Sequence, residues 1–465
     1  MPRALVQRSV LRLMAKGGVH GPARIVNPGD GLQRAMGPGT LDGVRVVDFT
    51  EYIAGPYGTM MLADMGAEVV KVEPTTGDHW RSQAPVAPHE SRPFLGLNRG
   101  KRSVAIDVRD PRGRAIVYRL AETADVVVLN FRPGVPERLG LDYETLSALN
   151  PGLVYADITA FGHHGPYSHR GGFDLLSQAA AGVMAYEGRI VDGAPTGVRT
   201  FAPSDVISGM YTAFAVVSAL YRRAETGRGQ AIATSLFASA LSVQYRSLSQ
   251  VEQHDATERA AFLALVENAR ADGASYEDIA RLRHSAIGRP SLQNYYRVYP
   301  TKDGFVAVAC LNNRLRLALR DAAGVEVDDP SITGPTYEPA QLSSDGYLAV
   351  REAMEAAFLQ RTTVQWLEQL DEAGVPAAPF NLTEELYEDP HVVANDLIPT
   401  QEHPTLGKVR TPRTPVEMSE SRTGSPLPAP TLGADTDAVL AELGLSEQEI
   451  EALDADGLIV RWRPE

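Results

Sequence analysis

Short apolar runs alternate with helix-forming segments between residues 45 and 158, and this alternation restricts the fold more than any other feature. Gly66 is a natural end for the first helix, and Asp110 with Pro111 is a natural start for a later one. Nearly continuous apolar strands joined through helices predict an α/β fold with a mainly parallel sheet covered on both faces. The predicted strands are residues 45–49, 68–73, 103–108, 125–129 and 153–158.

The overall charge limits which ligands the chain can attract. It carries 44 Lys and Arg residues against 58 Asp and Glu residues, for a net charge of −14. This balance argues against a nucleic-acid partner, and an anionic ligand would require a local basic cluster. No apolar run approaches the ~18 residues of a membrane span, and the single cysteine, Cys310, excludes a disulfide framework. We therefore expect a cytoplasmic protein without a membrane partner.

The first 29 residues contain five Arg or Lys and no acidic residue. Such a bias is typical of a transit peptide, but the accompanying Ser enrichment and cleavage pattern are missing. We predict that residues 1–40 form a partly disordered, untargeted extension.

Ligands of parallel sheets bind beyond the carboxyl ends of the strands, so the loops at those ends form the candidate site. The loop after the first strand lacks the Gly-x-Gly-x-x-Gly spacing, and Pro56 and Tyr57 would obstruct a pyrophosphate. Classical NAD binding is therefore not expected. The candidate loops are residues 50–58, 74–101, 130–140 and 159–173.

One of these loops holds a local basic cluster. Arg99, Lys101 and Arg102 follow Asn98 just before a predicted strand. A solvated surface turn and a clamp for phosphate groups are both consistent with this pattern.

Another loop combines a flat aromatic ring, an amide and guanidinium groups at a strand end. Asn130, Phe131, Arg132 and Arg138 supply these groups. Aromatic and guanidinium planes are suited to stacking on a nucleotide base.

The last of the loops contains two adjacent histidines, His163 and His164. Adjacent side chains point apart, and no further His or carboxylate stands at helical ligand spacing, so no metal site is expected. Asp174 follows at the start of a predicted helix, where we expect it to act as a structural cap.

Asp205 stands before a long apolar segment, residues 206–221, which predicts a helix buried on all sides. Pro203 ends the preceding chain, and Ser204 or Asp205 can cap the first turn. The partial positive charge of a helix start favours an ionised carboxylate, which an aspartate nucleophile requires. Two interpretations stay open here: Asp205 is a helix cap, or it is a nucleophile.

Taken together, the segments resemble the class III coenzyme A transferases. This family includes formyl-CoA:oxalate and carnitine CoA-transferases and the α-methylacyl-CoA racemases. The resemblance runs from about residue 41 to residue 460, and the order of its segments makes it specific. The segments that carry it are residues 46–49, 54–56, 66–74, 98–103, 125–134, 138–140, 161–166, 205–210, 226–230, 373–376, 403–408 and 432–437.

The resemblance implies a Rossmann-like large domain built from both chain ends and a smaller α+β domain. It assigns residues 41–245 and 386–465 to the large domain and residues 246–385 to the small one. It also implies ring-shaped subunits interlocked as an intertwined homodimer.

The resemblance further implies an enzyme that moves CoA from an acyl-CoA to a free carboxylic acid. Asp205 matches the family's catalytic aspartate. CoA and acyl-CoA are then substrates, and no permanently bound cofactor is expected. The CoA-binding residues, with the whole basic loop included, are Tyr52, Ile53, Ala54, Asn98, Arg99, Lys101, Arg102, Asn130, Phe131, Arg138 and Leu139.

The chain departs from the family pattern in ways that bear on the substrate. Ile53 stands where some members have Gln, and residues 283–291 contain only Gly288 where the oxalate enzyme has a glycine-rich lid. Phe173 stands where the racemases carry a proton-transferring His, which favours a transferase.

The alternatives to a CoA-transferase are a racemase of the same family and a non-catalytic CoA-binding dimer. The sequence identifies neither the acid nor the donor.

Overall fold

The structure, a computed structural model, describes residues 37–287, 294–327, 329, 332 and 344–463. Nearly all of the predicted extension therefore lies outside the described residues, and so does Gly288 of the expected lid position. Within the part of the chain that is described, no helix is long and apolar enough to cross a membrane.

The strands pair into one large sheet and several small ones. In chain order they are β1 (Arg45–Asp48), β2 (Glu68–Glu73), β3 (Pro85–Ala87), β4 (Glu90–Ser91), β5 (Lys101–Ile106), β6 (Val126–Leu129), β7 (Val154–Thr159), β8 (Ile190–Val191), β9 (Ala194–Pro195), β10 (Gln230–Ser235), β11 (Tyr296–Pro300), β12 (Phe305–Ala309), β13 (Ala377–Pro379), β14 (Thr400–His403), β15 (Gly407–Arg410) and β16 (Ile459–Val460).

Helices connect and cover these strands. They are α1 (Ala54–Asp64), α2 (Arg92–Leu97), α3 (Pro111–Thr123), α4 (Val135–Leu139), α5 (Tyr143–Leu149), α6 (Asp174–Ala180), α7 (Val183–Glu187), α8 (Pro203–Thr226), α9 (Leu236–Ser242), α10 (Tyr245–Leu248), α11 (Glu252–Ala271), α12 (Tyr276–Ile287), α13 (Asn313–Ala323), α14 (Ser344–Phe358), α15 (Thr363–Glu372), α16 (Pro390–Ala394), α17 (Thr436–Glu442) and α18 (Glu447–Ala455).

Among the described residues, seven strands form the large sheet in the order β10–β7–β6–β1–β2–β5–β16. Every pairing is parallel except the last, in which β16 from the end of the chain runs antiparallel to β5. The prediction of a mainly parallel α/β sheet is thus confirmed. The boundaries proposed for two domains, 41–245 with 386–465 and 246–385, stay predictions.

The large sheet is buried on both faces. Val47 and Val127 point to a core that includes Leu440 of α17, whereas Val46 and Val126 point to a core that includes Val216 of α8. Alternate side chains of one strand therefore reach opposite layers of helices. A separate core lies between the sheet β11–β12–β13 and helices α13, α14 and α15.

Helix α8 differs from the expectation of burial on all sides. Ser208, Thr212 and Val216 face inward, but Phe214 is 71% exposed and Tyr221 is 75% exposed. Only one side of the helix packs on α1 and the sheet, so the opposite apolar side stays uncovered within a single chain.

Helices α1 and α8 approach each other through glycines. A Cβ added to Gly209 would lie 2.4 Å from the carbonyl oxygen of Ala54, and one added to Gly58 would lie 2.7 Å from the carbonyl oxygen of Gly209. Both distances are too short for a side chain, so backbone packs directly on backbone. This contact fixes the start of α8 relative to the loop after β1.

We expect Gly209→Ala to lower the free energy of unfolding by about 1–3 kcal/mol, because the added methyl forces the two helices apart. Urea unfolding followed by circular dichroism measures the change. Gly96→Ala in α2 is the matched control, since a Cβ there meets nothing within 4 Å. That control should be neutral or stabilising. A Gly209→Ala protein as stable as the parent would contradict the close contact.

Candidate active site

A cavity of about 330 Å³ lies where the loops after β1, β6 and β7 meet the start of α8. Tyr52 comes from the first loop and Ala54 from the start of α1 behind it, Asn130 and Phe131 come from the second loop, and Asp205 comes from α8. The structure thus gathers these predicted site residues at the carboxyl ends of the parallel strands.

Asp205 is the third residue of α8 and does not cap it. Ala202 precedes the helix with a left-handed φ of +45°, and Pro203 is the first helical residue. Asp174 takes the capping role instead, because its Oδ1 accepts a hydrogen bond of 2.7 Å from the Ser204 backbone N–H. The interpretation of Asp205 as a cap was therefore wrong, and Asp174 has the structural role expected of it, though for a different helix.

The protonation of Asp205 also differs from the expectation. Burial, and secondarily the negative charge of Asp174, raise the pKa of the Asp205 carboxyl to about 7. The loss of hydration therefore raises the pKa of Asp205 by more than the positive end of the helix dipole can lower it. Near neutral pH the group is divided between carboxylate and carboxylic acid.

A residue that the sequence interpretation missed holds Asp174 in place. Gln178 Nε2 donates to Asp174 Oδ2 at 2.5 Å and to the Val198 carbonyl at 2.7 Å. The Val198 N–H donates back to Gln178 Oε1 at 2.9 Å. The available signal was the spacing of four between Asp174 and Gln178 on one helix face.

Aromatic side chains form one wall of the cavity. Tyr52 adopts a φ of +67°, and its ring meets Phe173 edge-on and stacks on His79, with 5.3 Å between centroids in both pairs. His79 Nδ1 in turn lies 3.2 Å from Glu51 Oε2. A non-glycine residue in this backbone region is strained and is held by its surroundings, which is common at functional sites.

Asn130 anchors the loop that carries Tyr52. Its Oδ1 accepts from the Glu51 N–H at 3.0 Å, and its Nδ2 donates to the Glu51 carbonyl at 2.7 Å. The predicted contact Ile53 is half-buried just before α1 and lies outside the cavity lining. Arg138 and Leu139 of α4 also lie outside this lining.

The basic loop is not the solvated surface turn that was one interpretation of its sequence, because Arg99 and Lys101 are buried. Lys101 is fully buried and donates to Asp48 Oδ2 at 3.0 Å and to Asn98 Oδ1 at 2.8 Å. Burial is the main cause that lowers the pKa of Lys101, to about 8, although Asp48 opposes it. Burial acts to raise the pKa of the Asp48 carboxyl. The positive charge of Lys101 and the other groups that contact Asp48 outweigh burial and lower this pKa to about 2.

The two neighbouring arginines are also bound to carboxylates. Arg99 is buried against Asp64, and Arg102 joins Glu68 and Glu442. These partners come from α1, β2 and α17, far from the loop in sequence. The cations therefore tie secondary-structure elements together and do not face the cavity.

The histidines of the loop after β7 give no sign of a metal site. His163 Nε2 lies 3.2 Å from Asp157 Oδ2. Burial, and then the charge of Glu137, raise the pKa of Asp157 to about 7. Over the residues that the structure describes, no group of three possible metal ligands occurs.

Comparison with known proteins identifies the family and agrees with the fold. Residues 41–436 match the model of CoA-transferase family III, and the chain belongs to that family. It is 33% identical to the mouse (Mus musculus) succinyl-CoA:glutarate CoA-transferase over 425 residues, which are 90% of this chain and 90% of the mouse enzyme. It is 32% identical to the acetyl-CoA:oxalate CoA-transferase of Acetobacter aceti, over 82% of this chain and 90% of the relative. A CaiB/BaiF family protein from Brucella suis has a similar solved structure, with a TM-score of 0.68 at 30% identity over 88% of this chain and 100% of that one.

Lys101→Met should lower the free energy of unfolding by about 3–5 kcal/mol, because it removes the cation that is hydrogen-bonded to the buried Asp48. Urea unfolding gives the value. Arg138→Met on exposed α4 is the control and should change stability by less than about 0.5 kcal/mol. A stable Lys101→Met protein with weakened CoA binding would instead restore the phosphate-clamp interpretation.

Proposed function

We propose that this CoA-transferase moves CoA from an acyl-CoA donor to a free carboxylic acid through covalent intermediates on Asp205. The observation that supports the proposal is the position of Asp205 at the head of α8, in the lining of a cavity that Gly171 and Gly172 also line. The other carboxylate that lines the cavity, Glu51, is bound to His79.

The reaction consists of acyl exchanges that need neither ATP nor net proton transfer. An Asp205 oxygen attacks the thioester carbonyl, the C–S bond breaks, and an acyl–aspartyl anhydride and CoA thiolate form. The thiolate then attacks the Asp205 carbonyl, which releases the donor acid as a carboxylate and leaves an aspartyl-CoA thioester. The acceptor carboxylate displaces CoA to form a second anhydride. Attack of the thiolate on the acceptor carbonyl yields the new acyl-CoA and restores Asp205.

The surroundings of Asp205 suit this role. A half-buried carboxylate with a raised pKa has lost part of its hydration, so its oxygens are more nucleophilic once ionised. Gly171 and Gly172 line the same cavity and let the backbone approach a developing oxyanion closely. Phe173 supplies no second base, so a racemase mechanism lacks its proton carrier.

We further propose that CoA enters with its thiol at Asp205 and its nucleotide towards Arg138 and Leu139.

The homodimer remains part of the proposal, because the exposed apolar side of α8 offers a surface for a second chain. The cytoplasm remains the proposed location, since Cys310 is a buried free thiol.

Incubation with acyl-CoA followed by borohydride or hydroxylamine should leave a modification on Asp205, which peptide mass spectrometry locates. Asp205→Asn should show neither the adduct nor CoA transfer. Asp157→Asn is the control, because Asp157 has a similarly raised pKa of about 7 but lies outside the cavity lining. An adduct on another residue, or full turnover by Asp205→Asn, would refute the assignment.

The value of kcat/KM for acyl-CoA should fall as the pH drops below about 7, since only the ionised Asp205 attacks. Well below the pKa the ionised fraction decreases about tenfold per pH unit. Asp174→Asn removes one cause of the raised pKa and should move this acidic limb to lower pH; its amide oxygen can still accept from Ser204, although the hydrogen bond from Gln178 Nε2 is lost. A limb unchanged by Asp174→Asn would show that the charge of Asp174 has no effect on Asp205.

A further inference from the structure

A histidine and a carboxylate that the acyl exchanges leave without a role lie side by side in the cavity lining. His79 and Glu51 both line the cavity that Asp205 lines, and His79 Nδ1 lies 3.2 Å from Glu51 Oε2. Burial, and then the charge of Asp78, raise the pKa of the Glu51 carboxyl, whereas the charge of His79 opposes that rise. The two side chains therefore act on each other electrostatically within the site.

The ring of His79 is held in place although its side chain is largely exposed in the single chain. It stacks on the Tyr52 ring with 5.3 Å between the centroids and 15° between the planes. Its backbone begins a short 3-10 turn, His79–Ser82, which the side chain of Asp78 caps. Asp78 is itself paired with the buried Lys71 at 2.9 Å. A ring that is supported in this way is preorganised for contact with a ligand.

The contact with Glu51 determines which ring nitrogen of His79 remains for a ligand. A carboxylate accepts hydrogen bonds, so it favours a proton on Nδ1 and stabilises the imidazolium when that forms. Within the described residues, the contacts of the ring nitrogens with polar groups are those of Nδ1, and Nε2 makes none. The imidazolium would therefore offer its Nε2–H to a negatively charged group in the cavity.

The transfer chemistry produces such a negatively charged group. When Asp205 attacks the thioester, the C–S bond breaks and its electron pair stays on sulfur. The resulting thiolate has to remain near Asp205, because it attacks the Asp205 carbonyl in the next step. An adjacent imidazolium stabilises a thiolate, and such pairs hold the pKa of a thiol well below its usual value.

The other charged or titratable groups of this lining are less suited to the sulfur. They are Tyr52, Arg132 and Asp205. Burial is the main cause that raises the pKa of the Tyr52 phenol, so the phenol carries no positive or negative charge near neutral pH. Arg132 has a delocalised charge that is best matched by planar carboxylates and phosphates. His79 is the group of the described lining that combines a compact N–H with a carboxylate behind it.

We propose that His79, oriented by Glu51, stabilises the CoA thiolate that each acyl exchange releases. His79 is then a further catalytic residue, because its Nε2–H contacts the reacting sulfur, and Glu51 is a positioning residue. The inference rests on the proposed transfer through Asp205. No net proton transfer is required: the hydrogen bond to sulfur forms as the C–S bond breaks and is lost when sulfur attacks the next carbonyl.

A titration of enzyme-bound CoA tests this contact without any transfer. Asp205→Asn cannot form the anhydride, so CoA bound to that variant keeps its thiol, and the ultraviolet absorbance of the thiolate reports the thiol pKa. Adding His79→Gln should raise this pKa by about 1 pH unit or more, because a positive charge next to the sulfur is removed. His254→Gln on the exposed helix α11 is the matched control and should leave the thiol pKa unchanged.

A kinetic measurement tests the same contact during the reaction. Saturating butyryl-CoA is mixed with the enzyme, and the adduct on Asp205 is trapped with borohydride at successive times. His79→Gln should slow adduct formation roughly 100-fold, as expected for loss of a preorganised donor to a developing negative charge. Glu51→Gln should cause a smaller loss, because the ring remains but its negatively charged partner is removed.

Binding of desulfo-CoA, which lacks the sulfur, separates catalysis from a structural role of His79. Parent and His79→Gln should bind this ligand equally well. An equal loss of affinity for CoA and desulfo-CoA would overturn the proposal, and so would a thiol pKa that is the same with and without His79. A thiol pKa that depends on His79, in a protein whose parent never forms the Asp205 adduct, would support the contact and overturn the proposed function only.

Discussion

The hydrogen bond from the Ser204 N–H to the carboxylate of Asp174 is the contact on which the site depends. It satisfies a free N–H group at the start of α8, so Asp205 is not needed as a cap and faces the cavity. The same carboxylate places a negative charge near Asp205, which adds to burial in raising its pKa. One residue thus frees the proposed nucleophile from a capping role and adds to the rise of its pKa.

Buried ion pairs support the opposite wall of the cavity. Lys71 donates to the Thr50 carbonyl at 2.6 Å and pairs with Asp78, while Asp48 accepts from Lys101 and from the Thr50 hydroxyl. These contacts hold the loop that carries Tyr52 in its strained conformation. The basic residues beneath the strand ends, Lys71 and Lys101, are paired with carboxylates within this support.

The parallel sheet could be predicted from the sequence because hydrophobic periodicity and turn residues are local signals. The runs around Val47, Val70 and Val127 became buried neighbouring strands. Helix α8 shows the limit of that argument. Its apolar residues surround the whole helix, so periodicity could not show that Phe214 and Tyr221 would remain uncovered in a single chain.

The sequence by itself indicated the alternation of parallel strands with helices, the loops at the carboxyl ends of those strands and Asp205 as a possible nucleophile. Only the tertiary structure decided which charged residues remain available. Lys101 and Asp48 are 53 residues apart, and Arg99 and Asp64 are 35 apart. No local pattern predicts such partners, because they meet only when β1, α1 and β5 pack together. Burial, which changes the pKa of Asp205 and Lys101 in opposite directions, likewise exists only once the chain is folded.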